Sequence, residues 1–247
     1  MIARNTILRF AAGLAVAASM AGQAPASEIF ADAFDGDDLA ETWQVITPDP
    51  DSYIVENGEL LVITNTTVGD DQIADGTFPN IFALDMELPK GDWVMSLKFN
   101  VELQTARESL GFGLMDAHDN YVLGYIYTGG NGSYGWTLNA QLKKRSGEKI
   151  NKFTRGLAAL GCNVCGPDRQ FTNFVESLKM PIEAQLIKTG RQYTLQAKLA
   201  DAADWTVVDK LTSIRAPKRP VLFVHQYDKT EGETPFMIDY FRIETVE

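Results

Sequence analysis

Cysteine and histidine are scarce: the 247 residues hold two of each, Cys162 and Cys165, His118 and His225. A four-ligand zinc site would have to gather all four. The cysteines form a C-x-x-C pair in GCNVCGPD, and the surrounding Gly161, Gly166 and Pro167 describe a loop. A thioredoxin-type redox pair instead opens a helix after a strand. For an exported chain, the first expectation is a local disulfide between Cys162 and Cys165, with a redox role or half of a metal site as alternatives. Basic charge is also short, at 22 Lys and Arg against 33 Asp and Glu. Such a balance repels nucleic acid and anionic lipid, and leaves solubility or cation binding as its uses. Beyond residue 26 no apolar run approaches the ~20 residues of a membrane span, so no membrane insertion is expected. No repeat of fixed period is present, which excludes a propeller or solenoid. Nor does any linker rich in Pro, Ser and Gly divide the chain.

What is present begins with a leader. Arg4 and Arg9 precede the small apolar run Ala11 to Ala21, and Ala24-Pro25-Ala26 is an A-x-A cleavage site. Residues 1–26 are therefore expected to be a signal peptide and the protein to be secreted or periplasmic. Residues 27–247 are expected to form one domain. Without the two leader arginines, 20 basic groups face 33 acidic ones, a balance of −13.

Runs of β-branched and aromatic residues punctuated by Gly, Asn and Asp predict about a dozen strands. These are 52–55, 59–64, 81–88, 93–103, 110–115, 121–127, 134–138, 182–188, 191–199, 205–211, 221–227 and 235–244. Asn57-Gly58 has the chemistry of a two-residue hairpin turn, Asp116 to Asn120 that of a polar hairpin tip, and Lys188 to Arg191 that of another turn. Short helices are expected at Asn173 to Lys179 and at Phe153 to Leu160. A dozen strands cannot remain one open twisted sheet, so the expected fold is all-β, a two-sheet antiparallel β-sandwich.

The stretches IFADAFDGDDLAETWQV, DSYIVENGELLVIT, LGFGLMDAHDNYVLGYIY, PIEAQLIKTGRQYTLQAKLADAADWTVV and TPFMIDYFRIE, in this order, together resemble the concanavalin A-like lectin and glucanase superfamily. The pattern is similar above all to the C-terminal β-sandwich of family 43 β-xylosidases. The resemblance implies a jelly roll whose first and last strands meet and whose concave sheet takes the ligand. It also implies a structural calcium at the chain ends, held by Asp239 and by carbonyls near Asp32 and Gly58, since oxygen-only ligation suits a hard cation. The segment 129–179 is longer than the resemblance predicts. Loops on such scaffolds are where binding varies.

Catalytic constellations are thin. Glycosidases need two carboxyl groups across the scissile bond. The nearest string, Ala83-Leu84-Asp85-Met86-Glu87, has an apolar residue where the first acid of an E-x-D-x-E strand would stand. A lyase would use His225, Tyr227 and Arg107 for proton transfer beside a carboxylate, but the strand motifs for it are missing. Serine lacks a Gly-x-Ser-x-Gly elbow, and Gly129-Gly130-Asn131-Gly132 joins strands rather than opening a phosphate-binding helix.

Aromatics are plentiful. Sugar rings lay a C–H face on an aromatic ring while polar side chains bond the hydroxyls. By alternation Tyr125 pairs with Tyr127, Tyr134 with Trp136, and His225 with Tyr227, each pair on one face of its strand. These six are the candidate carbohydrate-binding residues, and filling of the sandwich interior is the competing role. The resulting expectation is a non-catalytic, lectin-like domain whose partner is a poly- or oligosaccharide. A polysaccharide hydrolase or lyase and a structural envelope sandwich are the alternatives. The sequence leaves the oligomeric state open.

Overall fold

The computed structural model describes residues 27–64, 78–103, 108–131, 135–160, 167–215, 217–226 and 233–246. The signal-peptide expectation, the cysteine pair, Arg107, Tyr134 and Tyr227 fall outside these residues.

Among the described residues, fifteen strands, one α-helix and a short 3-10 helix at Pro50–Ser52 follow in order. They are β1 (Glu28–Asp32), β2 (Trp43–Ile46), β3 (Tyr53–Glu56), β4 (Glu59–Ile63), β5 (Ile81–Leu84), β6 (Trp93–Val101), β7 (Glu108–Ala117), β8 (Asn120–Asn131), β9 (Gly135–Ser146) and β10 (Lys149–Leu160). Helix α1 (Pro167–Ser177) precedes β11 (Ile182–Thr189), β12 (Gln192–Leu199), β13 (Thr206–Thr212), β14 (Pro220–Gln226) and β15 (Pro235–Thr245).

Two antiparallel sheets result. One runs β13-β12-β11-β6-β15-β4-β3, with β1 added beside β15, and the other runs β10-β9-β8-β7-β14-β5-β2. The expected two-sheet antiparallel sandwich is the fold observed. Its core lies between the sheets, where Leu110, Phe112, Leu114, Val122, Ile126, Leu222 and Val224 of the second sheet meet Met95, Leu97, Phe99, Leu186, Leu195, Ile238 and Phe241 of the first. Burying a large apolar side chain contributes about 1.5–3 kcal/mol, so this layer dominates stability.

Local signals fix several turns. Asn57 and Gly58 both take positive φ, 55° and 79°, between β3 and β4, as a tight hairpin requires. Chain beginning and end also meet as expected: Asp32 pairs with Phe241 in register. Phe30, Phe34 and Phe241 gather on Trp43, with centroids 5.6, 6.4 and 5.3 Å away.

Three expectations are corrected. The segment Phe153 to Leu160 is not a helix but the second half of β10, paired with β9 from Lys149–Ser146 to Leu160–Trp136. Its register bonds to β9 override the helix preference of Ala and Leu. Within the 129–179 segment, β9 and β10 thus extend the second sheet as a long edge hairpin. Helix α1 starts at Pro167, six residues before the expected Asn173, and buries Phe174 in the main core. The strand expected to run to Leu88 ends at Leu84, leaving Asp85 and Glu87 exposed beyond it.

Candidate functional site

The second sheet carries a second apolar layer on the face turned away from the sandwich core. Alternation sends Tyr121, Leu123 and Tyr125 of β8, Val221 and Phe223 of β14, and Ile81 and Ala83 of β5 to that side, with Phe78 beside them. Register aligns the rows. Tyr125 stands opposite Gly111, and Gly111 opposite Phe223; Tyr127 stands opposite Ser109, and Ser109 opposite His225. Because Gly111 has no side chain, the Phe223 ring lies across it, where an added Cβ would sit 2.4 Å from Cζ. The ring then reaches Tyr125 at 5.9 Å between centroids, nearly perpendicular.

His225 is 6% exposed and stands edge-on to Phe78 and Tyr125, with centroids 5.5 and 6.0 Å away. Lys143, only 4% exposed, brings its ammonium 5.8 Å from the Tyr121 ring centre and 5.7 Å from that of Tyr125. Both rings therefore offer their π faces to one cation. Beside Lys143 on β9, alternation sets Thr137, Asn139 and Gln141 on the same face. Asn139 donates to the Thr137 hydroxyl (2.9 Å) and Gln141 to that of Thr154 on β10 (2.8 Å). The face thus grades from buried aromatics at β14 and β8 to half-exposed amides and hydroxyls at β9 and β10.

The six expected aromatics divide accordingly. Tyr127 lies on this face and is partly exposed; Tyr125 (5% exposed) and His225 share the face but are buried beneath it. Trp136 is corrected to the other side, where it packs against the main core with Leu138 and Ala140. Tyr134 and Tyr227 lie outside the described residues. The polar row Thr137, Asn139, Gln141 and Thr154 and the buried Lys143 were missed. Their period-two spacing next to a tyrosine strand was the available signal.

The calcium expectation joined Asp239 to carbonyls near Asp32 and Gly58. The Asp32 side chain itself serves the turn, accepting from the Phe34 amide (2.8 Å) and from Trp43 Nε1 (2.7 Å). Asp239 sits at the bulge where β15 passes from β4 to β1, and its Oδ2 meets the Lys98 ammonium. Its Oδ1 is buried with no hydrogen-bond partner among the described residues. Beside it stands Glu59, next in the chain to Gly58. Burial, the Asp239 charge and their mutual hydrogen bond push the Glu59 carboxyl above the usual carboxylate range. The hydrogen bond to Asp239 likewise lifts Lys98 above its ordinary value. One orphaned carboxylate oxygen beside a second carboxyl is donor chemistry that fits a hard cation.

The sandwich, with β1 paired to β15, has a fold of the concanavalin A-like kind, consistent with the solved structures it is similar to. The chain is similar to the GH43 protein BlXynB of Bacillus licheniformis, at 12% identity and a TM-score of 0.60, over 87% of this chain and 39% of that one. It is similar to the CBM2 module of the evolved Dit of Lactobacillus casei BL23 phage J-1, at 10% identity and a TM-score of 0.57, over 90% and 97% of the two chains. It is also similar to a β-1,3-glucanase from Mycobacterium marinum, at 12% identity and a TM-score of 0.54, over 87% and 98%. The chain spans about two fifths of the length of the GH43 proteins it matches. No family model matches the sequence. No curated protein matches it in sequence.

Proposed function

We propose that this chain is a non-catalytic carbohydrate-binding β-sandwich of the secreted or periplasmic kind, holding an oligo- or polysaccharide on the outer face of its seven-stranded sheet. The observation that carries this reading is the gradation of that face. Tyr127 borders a group of amides and hydroxyls on the same face, Thr137, Asn139 and Gln141 of β9 with Thr154 of β10. Tyr125, Phe223 and His225 form the packed layer behind it and hold Tyr127 and Lys143 in place.

Holding is favoured over cutting by the carboxyl inventory. Strands β5, β8, β9, β10 and β14 contain no Asp or Glu, and β7 holds only the buried Glu108 and Asp116, whose carboxylate at the bulged end of the strand accepts from the Lys218 and Arg219 amides. Hydrolysis needs two carboxyl groups about 5–9.5 Å apart. Proton abstraction by His225 would require a substrate to reach a ring already packed against Phe78 and Tyr125. The names of the similar structures, a CBM2 module and proteins acting on xylan and β-1,3-glucan, support a polymeric sugar as the partner. A structural calcium at Asp239 and Glu59 belongs to the same reading, since it would fasten the strand that ends the chain.

The test is titration calorimetry with xylohexaose and laminarihexaose, alongside a reducing-sugar and unsaturated-product assay. The expected result is saturable binding to one of them without turnover, weakened about tenfold by Asn139→Ala or Gln141→Ala, the loss of one good hydrogen bond. Product formation would move the chain to the enzymes. Binding indifferent to both variants would move the site off this face.

A further inference from the structure

A second recess opens at the end of the sandwich where β6 starts and β13 stops, far along the strands from Tyr127. It holds about 270 Å³. That is near the lower end of the ~300–1,000 Å³ of small-molecule sites, room for one ring rather than a chain. Its composition differs from that of the whole molecule. The protein is strongly acidic, yet Lys90, Lys188, Arg191 and Lys218 all line this recess with only Glu87 opposing them.

These cations are not equally engaged. Lys188 donates to the Lys90 and Gly91 carbonyls at 3.1 and 2.7 Å, which anchors its charge at the rim. Lys218 faces Glu87 at 3.6 Å with both side chains largely in solvent, a pair of small worth. The Arg191 guanidinium is exposed and makes no hydrogen bond or ion pair among the described residues. An independent observation points the same way. Ser213 lines the recess, is 3% exposed, and its hydroxyl has no hydrogen-bond partner among the described residues. A buried hydroxyl left so is costly, and a polar ligand would relieve it. Apolar wall comes from residues that include Leu88, Pro217 and Ile214, the last 76% exposed.

The geometry points to a subsite for one carboxylate-bearing sugar, a hexuronate unit, with its carboxylate on Arg191, a hydroxyl on Ser213 and its C–H face on Ile214. Arginine presents a planar fork that matches a carboxylate with two parallel bonds. A bare inorganic anion would leave the apolar wall unused, and a neutral sugar would leave the cations unused. The inference rests on the carbohydrate-binding reading but uses residues remote from the sheet face, so the two fail separately.

The experiment follows backbone amide resonances of the full chain during titration with D-glucuronate, D-glucose and acetate. Glucuronate is expected to shift the Ser213 and Ile214 amides saturably, more tightly than glucose or acetate. Arg191→Ala should lower that affinity about tenfold or more, and Ser213→Ala about threefold, as lost charged and neutral hydrogen bonds do. The subsite is overturned if glucuronate leaves these amides unmoved, if acetate binds them as tightly, or if neither variant weakens binding. Shifts of Asn139 and Gln141 with xylohexaose would uphold the sheet-face reading whatever happens at the recess.

Discussion

Gly111 stands under a ring. Its place in the central strand β7 leaves Phe223 carbons 2.4 and 2.6 Å from where a Cβ would be, so Gly111→Ala must drive that ring into Tyr125 and His225. Overpacking of this kind costs about 1–3 kcal/mol. At roughly 2–4 °C per kcal/mol for a domain of this size, the melting midpoint should fall by about 2–12 °C. An unchanged midpoint in a thermal melt would mean that the Phe223 ring has room to retreat. Tyr193 makes a different prediction. Burial pushes its phenol up to about 12 from the ordinary 10. The folded state thus keeps a proton that the unfolded chain loses above pH 10, so stability is full below pH 10 and declines as pH rises from 10 to 12. The slope is about 1.4 kcal/mol per pH unit. Denaturant titrations across that window should show it, and Tyr193→Phe should flatten it; an equal slope in the variant would assign the decline to other groups.

At the scale of elements, Asp32 ties β1 to β2. Its carboxylate takes both the Phe34 amide and the Trp43 indole N–H, and Trp43 is the ring on which Phe30, Phe34 and Phe241 converge. Asp32→Ala strands two donors and should cost about 2–4 kcal/mol. Denaturant melts followed by tryptophan emission should show it, and a midpoint within error of the parent would deny β1 its closing role. The elements legible in the sequence were those whose signals are local. Asn57-Gly58 is written in two residues, and β11 and β12 alternate cleanly about the turn at Gly190. Strand β10 was not legible, because its pairing to β9 depends on residues outside its own window and it is largely exposed at the sheet edge. The same limit split the candidate site. Alternation showed that Tyr134 and Trp136 share a face, but only the register of Tyr127 on Asn139 decides which face. That register turns the odd residues of β9 outward and sends Trp136 to the core.

Over the whole molecule, closure is the unfinished account. The last strand joins β4, β6 and β1, and at the bulge where it changes neighbours two carboxyl groups, Asp239 and Glu59, crowd one lysine. With residues 27–247 already at −13, the surrounding field adds to the repulsion. Lys98 offsets one charge and leaves Asp239 Oδ1 without a partner. A calcium ion there would supply the second positive charge and hold the beginning and end of the domain together. Ligand linkage gives about 2.7 kcal/mol at a hundred times the dissociation constant. Moving the protein from millimolar calcium to a chelator should therefore lower the midpoint by about 5–10 °C, and Asp239→Asn should abolish the difference. Because no strand of the seven-stranded sheet contributes to this corner, the proposed binding of xylohexaose near room temperature should survive chelation. A midpoint indifferent to calcium would leave Lys98 as the only counter-charge and remove the metal from the fold.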